Sequence, residues 1–234
     1  MGNNVVWLDP NSDVSVSVVG NKAYALHRVA KMGVVKTPKS IVLGVHGTLG
    51  KEHEISNFID VVNANYSFPV IVRSSGTLED SDNSFAGQFV SLVCRDAKEL
   101  YADIQSVISS ANSENVVAYC KKFGIDHTSL KMAVIVQEYL SADESGVIFT
   151  RHPIFSDGDM YCESKLRSTD AVTSGDASVS GRNLPRCGFI ENGFLKDLRD
   201  VSLAIEYEFG YSVDIEWILS NGDLWVLQVR KITA

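Results

Sequence analysis

Residues 213–230 constrain the fold more than any other stretch, because two faces must be satisfied at once. The run Val-Asp-Ile-Glu-Trp-Ile-Leu leads into Ser220-Asn221-Gly222-Asp223 and out into Leu-Trp-Val-Leu-Gln-Val-Arg. Asn-Gly between two such runs is a hairpin signal. Side chains alternate faces along a strand. Ile215, Trp217, Leu219, Trp225, Leu227 and Val229 are odd-numbered and apolar, whereas Asp214, Glu216, Gln228 and Arg230 are even-numbered and polar. A two-residue loop with Ser220 opposite Asp223 pairs odd with even and sets apolar against polar. A three-residue loop over Asn221-Gly222-Asp223, with one left-handed residue, restores the match. It places Glu216 opposite Gln228 and Asp214 opposite Arg230. Two carboxylates, an amide and a guanidinium then share one face. On the hairpin alone this reads as a solvated face with a surface ion pair, worth little. The same oxygen ligands also suit magnesium, with an arginine beside them for phosphate.

The remaining chain narrows the class. At 234 residues with 45% hydrophobic and 21% charged content, it is long enough for one large domain or two lobes and is neither disordered nor coiled coil. The 21 Lys and Arg against 29 Asp and Glu give a charge of −8, which argues against nucleic acid as a partner. No apolar run reaches membrane-spanning length, and the N-terminus lacks a basic start followed by an apolar run, so neither membrane nor secretion is expected. Cys94, Cys120, Cys162 and Cys187 are scattered without a C-x-x-C pair, as in a cytoplasmic protein with free thiols. Periodicity predicts helices over 21–32, from Asp96 with Glu99 as its reciprocal partner, over 113–124 and over 195–209. Strands are predicted over 40–45, 70–73, 88–93, 132–137 and 146–150, and residues 156–188 read as a long loop or irregular sheet region.

Three segments could meet an anion. Val19-Gly20-Asn21-Lys22 puts a glycine and a lysine at a helix start. Val72-Arg73-Ser74-Ser75 ends a strand with a cation and two hydroxyls before a small-residue segment. Phe149-Thr150-Arg151-His152-Pro153 repeats that pattern at another strand end, and His152 beside a proline reads as structural rather than catalytic. Each alone is also compatible with an ordinary helix start or surface turn.

Taken in order, these blocks resemble the N-terminal nucleotide-binding domain of the pyruvate phosphate dikinase, phosphoenolpyruvate synthase and rifampicin phosphotransferase family. Ser84-Phe85-Ala86-Gly87-Gln88, Gln137-Glu138-Tyr139-Leu140, Ser145 to Pro153, Asp214-Ile215-Glu216-Trp217 and Leu227 to Thr233 complete the collinear set. The resemblance implies a two-lobed α+β fold of ATP-grasp type, with mixed or antiparallel sheets and flanking helices. The expected division is an N-terminal lobe over 1–93 and a C-terminal lobe over 94–234, with Mg·ATP bound between them. It implies that Lys22 and Arg73, with Ser74, contact the ATP phosphates, and that the backbone of Gln137, Glu138, Tyr139 and Leu140 meets adenine. Thr150 and Glu163 join the nucleotide contacts. Glu216 and Gln228 would bind magnesium, and Arg230 the phosphate or reacting group; Lys22, Arg73 and Arg230 form the catalytic set. The implied activity is an ATP-dependent phosphotransferase whose acceptor is a histidine on a partner protein or a small molecule, with AMP or ADP as product. A catalytically degenerate ATP-binding module that senses or scaffolds is the alternative.

The sequence departs from the family pattern in places. Asn21 stands where the family has a second glycine. Residues 167–175 read Arg-Ser-Thr-Asp-Ala-Val-Thr-Ser-Gly where the family has Gly-Leu-Gly-Glu, so the glycines are gone and Asp170 replaces the glutamate. The expectation is a shortened, stand-alone form that lacks the family's phosphohistidine domain.

Overall fold

The computed structural model describes residues 4–49, 52–79, 85, 87–152, 154, 158–166 and 179–232. Ser84, Ala86, Pro153, Thr233 and the glycine-poor segment 167–175 lie outside the described residues. The chain divides into two compact units, Met1–Lys31 with Lys39–Tyr139, and Met32–Pro38 with Leu140–Ala234.

The first unit contains β1 (Val5–Trp7), α1 (Val16–Met32), β2 (Ser40–Leu43), α2 (Val45–Thr48), α3 (Glu52–Asn65), β3 (Val70–Gly76), β4 (Ser91–Cys94), α4 (Leu100–Ser110), α5 (Glu114–Phe123) and β5 (Met132–Glu138). Its sheet runs β1-β2-β5-β3-β4, antiparallel at every step. Helices cover both faces. Ile55, Phe58 and Val62 of α3 and Leu100, Ile104 and Val107 of α4 pack against Ile41, Leu43, Val70, Val72, Val134 and Val136. On the other side Val19, Ala23 and Leu26 of α1 meet Val42, Ala133 and Ile135. Double coverage explains why β2 and β5 read as near-continuous apolar runs rather than alternating ones. The division expected at 93/94 falls inside β4, whereas the units part at 139/140. The reason is non-local pairing: β5 inserts between β2 and β3, which pulls α4, α5 and β5 into the first sheet's unit.

Ser113 caps α5 by accepting from Val116 N–H at 3.3 Å, and Gly124 ends it in the left-handed region. In α1, Gly20 is not helical, at φ 76° and ψ 172°, so the continuous helix begins at Asn21 as the pattern predicts. A Cβ on Gly20 would lie 2.1 Å from the Ser75 backbone oxygen, so the position needs glycine for space as well as for φ.

The second unit contains β6 (Glu144–Phe149), β7 (Met160–Leu166), β8 (Ser180–Leu184), α6 (Phe194–Phe209), β9 (Val213–Ser220) and β10 (Asp223–Lys231). Its sheet is also antiparallel, in the order β10-β9-β6-β7-β8. Thus the stretch expected as a loop or irregular sheet region supplies two regular strands. One sheet face is apolar and packs on α6: Ile148, Ile215, Trp217, Leu198 and Ile205 are buried, and Phe194 lies 5.8 Å from the Trp217 ring. Residues 32–38 belong to this unit because Lys36 pairs with Trp225 in a parallel bridge. Its carbonyl accepts from Val226 N–H at 3.0 Å and its Nζ pairs with Asp223 at 2.6 Å. No described helix is long and apolar enough to cross a membrane.

The C-terminal hairpin corrects the expected turn while keeping the expected pairs. The loop has two residues, with Ser220 opposite Asp223, and Asn221 and Gly222 both take positive φ, at 51° and 80°. A β-bulge between Val226 and Gln228 leaves Leu227 as the extra residue, and beyond it Gln228 faces Glu216 and Arg230 faces Asp214. The parity is restored inside the strand rather than in the turn.

A side-chain clasp closes the second unit's apolar layer. Thr150 is fully buried; its hydroxyl donates to Glu206 at 2.9 Å and accepts from Val213 N–H at 2.9 Å. Arg186 bridges the Thr150 carbonyl and the Glu206 carboxylate. Burial alone would raise Glu206, but hydrogen bonds from Arg186, Thr150 and Ser212 outweigh it and hold the carboxyl below its ordinary 4.5.

Two outcomes follow. Gly20→Ala is expected to destabilise the chain by about 3 kcal/mol or more, from positive φ plus overlap with Ser75, as read by urea denaturation. Glu206→Gln is expected to be about 1–2 kcal/mol less stable at pH 7. A depressed folded-state pKa gives stability present above 4.5 and lost as pH falls through the folded value. Melts from pH 7 to 3 should therefore show the two proteins converging below 4.5.

Candidate functional site

In the first unit the break at Gly20 brings the start of the long part of α1 against the end of β3. Ala23 N–H donates to Ser75 Oγ at 3.1 Å, and Asn21 Nδ2 donates to the Thr77 carbonyl at 2.9 Å. Asn21, the departure from the family's glycine, therefore ties the helix start to the chain after β3. Lys22 Nζ donates to Ser74 Oγ at 3.2 Å and forms an ion pair with Glu79. The Glu79 carboxylate also accepts from Gly76 N–H at 2.9 Å and is 2% exposed. Arg73 lies on β3 one residue before Ser74, half-buried and opposite Ser91 and Ile135. Lys22 and Ser74 are thus brought together next to Arg73 in the chain. Glu79 was not among the expected residues; its only signal was its place as the first acid of Glu79-Asp80-Ser81-Asp82 after Arg-Ser-Ser.

At the end of β5, Gln137 is 1% exposed. Its Nε2 donates to Ser40 Oγ at 3.3 Å, while Oε1 has no partner among the described residues. A buried acceptor left unpaired costs about 1–3 kcal/mol, which makes it a candidate ligand contact. Glu138 is exposed, and its N–H already donates to the Lys39 carbonyl at 2.9 Å, so that backbone donor is not available to adenine. Tyr139 closes the first unit and Leu140 opens the second; both are half-buried.

The second unit's sheet has one polar face, built rung by rung. One rung runs Glu163, Val147, Glu216, Gln228 across β7, β6, β9 and β10; the next runs Tyr161, Phe149, Asp214, Arg230. Facing residues on neighbouring strands have Cβ atoms about 5 Å apart, so Glu216 and Gln228 adjoin. Glu163 shares their face but stands two strands from Glu216, about 10 Å away, with Val147 between. Arg230 Nε donates to Asp214 Oδ1 at 2.8 Å. Burial, helped by the Glu216 charge, raises Asp214 above its ordinary value against the pull of Arg230.

Thr150 is corrected: with its hydroxyl buried in the clasp and bonded to Glu206 and Val213, it is a structural residue rather than a nucleotide contact. Cys94, Glu99 and Asp103 also bring three ligand-type atoms within 4.8 Å of one another. Burial and the neighbouring Asp103 push the Cys94 thiol up to about 12, so it stays protonated and is a poor metal ligand.

A probable phosphoenolpyruvate synthase of Methanocaldococcus jannaschii is 23% identical over 98% of this chain and 27% of its own length. A rifampicin phosphotransferase of Bacillus subtilis is 28% identical over 70% of this chain and 23% of its own. The chain thus spans about a quarter of the length of these relatives. Among solved structures, the VanG D-Ala:D-Ser ligase of Enterococcus faecalis superposes with a TM-score of 0.50 at 16% identity, over 89% of this chain and 51% of that one. That likeness gives the fold, α+β of ATP-grasp type. The family described as pyruvate phosphate dikinase, AMP/ATP-binding domain, matches residues 47–185, more than half of the chain, and the chain belongs to that family.

Proposed function

We propose that the chain is an ATP-dependent phosphotransferase domain of the dikinase type, which binds Mg·ATP and passes a phosphoryl group to a histidine on a partner protein or to a small-molecule acceptor. The observation that carries this reading is the β9–β10 register, which sets Glu216 beside Gln228 and Arg230 beside Asp214 on the polar face of the sheet. Glu216 and Gln228 offer neighbouring oxygen donors, the chemistry that a hard divalent cation takes. Magnesium held there would neutralise negative charge on the transferred phosphoryl group. Arg230, oriented by Asp214, contributes a planar cation suited to phosphoryl oxygens. Lys22 and Arg73 supply further cationic contacts to phosphate, with Ser74 holding Lys22. Glu163 has a place on the same face but at a distance that suits the nucleotide better than the Glu216–Gln228 pair. The matching family's description as an AMP/ATP-binding domain supports adenine as the base.

A second reading, a degenerate ATP-binding module, is favoured by Arg167-Ser168-Thr169 in place of the family's glycines. Retention of Lys22, Arg73, Glu216, Gln228 and Arg230 together supports the enzyme.

Thermal melts with and without Mg·ATP test the nucleotide site. At about 100 times the dissociation constant a ligand adds about 2.7 kcal/mol. For a chain of this size the midpoint should rise by about 5–11 °C, less with GTP. No shift at millimolar Mg·ATP would remove the phosphotransferase reading. Glu216→Ala is expected to lower turnover by about 100-fold or more while changing ATP affinity far less, since a metal contact matters most where charge develops. Equal losses in both would take Glu216 out of that role. Product analysis then separates a dikinase outcome, AMP with phosphate, from a simple kinase outcome, ADP.

A further inference from the structure

Lys22 has an ammonium with three N–H donors on a flexible four-carbon stem. Two donors are committed inside the protein, to Ser74 Oγ and to the Glu79 carboxylate. Glu79 is itself fixed: its second oxygen takes Gly76 N–H at 2.9 Å, and the residue is 2% exposed. The Gly76 backbone leaves little slack, since even a Cβ there would come within 3.3 Å of the Glu79 Cβ. A carboxylate so deeply buried is costly unless paired, and both of its oxygens are paired. We infer that Glu79 is the positioning residue of Lys22: anchored to the backbone, it aims the ammonium so that the remaining donor is the one offered to a nucleotide phosphate. This rests on the ATP-binding reading above.

The alternative, that Glu79 is a counter-ion which phosphate must displace, fits the geometry less well. A carboxylate tied to a backbone N–H does not swing aside with the lysine, and two of three donors leave one for phosphate among the described residues. Ordering the stem in the free protein also removes a cost that would otherwise fall on binding.

The test uses Glu79→Gln, which keeps the size but cannot serve both partners. Whichever of them its single oxygen accepts from, the amide NH2 faces another donor. ATP affinity by calorimetry with magnesium is expected to weaken about tenfold. In a Lys22→Met background the same change is expected to alter affinity by less than about twofold, because the effect runs through Lys22. Side-chain ammonium NMR of Lys22 without nucleotide provides a readout that a purely structural role would not move. Its signal, slowed in exchange by the two hydrogen bonds, should be present in the parent chain and lost in Glu79→Gln. Undiminished loss of affinity in the Lys22→Met background, tighter ATP binding, or an unchanged ammonium signal would each overturn the proposal. Should Glu79→Gln fail to fold, Glu79→Asp keeps the charge but is one methylene too short to span Gly76 N–H and Lys22, and carries the same expectations. If the parent chain binds no ATP, the phosphotransferase reading fails by itself. The ammonium signal then decides whether Glu79 holds Lys22.

Discussion

One inserted residue governs the second unit. With a two-residue Asn-Gly turn, a regular ladder would set Glu216 against Leu227 and Ile215 against Gln228, mixing polar and apolar side chains on both faces. The bulge at Leu227 takes up the odd residue, so Val226 and Val229 stay with Trp217 and Ile215 under α6 while Gln228 and Arg230 join Glu216 and Asp214 on the opposite face. Burial of the apolar face is the driving force, at about 25 cal/mol per Å² of apolar surface, and the polar cluster is its geometrical by-product. The same strand therefore builds half of a core and half of a charged site.

A second theme is that cations are held by carboxylates rather than left to sample solvent. Lys22 has Glu79, Arg230 has Asp214 and Arg186 has Glu206. The two arginine pairs look alike yet titrate in opposite directions. Glu206 collects three hydrogen bonds, which overcome its burial and lower it. Asp214 is more deeply desolvated and sits beside Glu216, which together outweigh the hydrogen bond and charge of Arg230, so it is raised. The first pair serves to hold a fold together; the second leaves a carboxyl under electrostatic pressure that a nearby positive charge would relieve.

Much of this was legible in the chain. Period-two alternation gives the pairs Glu216–Gln228 and Asp214–Arg230, but before the bulge it misassigns the face: Trp225 lies opposite Ile218, and Val226 rather than Leu227 meets Trp217. It does not say whether the odd residue sits in the turn or in the strand, because either gives the same pairs beyond Leu227. The long helical part of α1, α5 with its Ser113 and Gly124 ends, and α6 before Gly210 follow from local chemistry. What was missed is non-local. Glu79 meets Lys22 from 57 positions away, β5 joins the first sheet from beyond two helices, and Thr150 is claimed by a clasp whose parts lie at 186, 206 and 213. A motif at a strand end looks the same whether its hydroxyl faces a ligand or the protein's own carboxylate.

The short passage 32–38 belongs to a unit whose other residues begin at 140. By pairing Lys36 with Trp225 and Val226 it occupies the outer side of β10 at the turn end of the hairpin. The second unit is therefore not a contiguous cassette. Cut out as residues 140–234, it would expose open backbone donors and acceptors along that edge, the kind of surface on which strands from other molecules assemble. Covalent continuity with α1 thus acts as a guard against self-association.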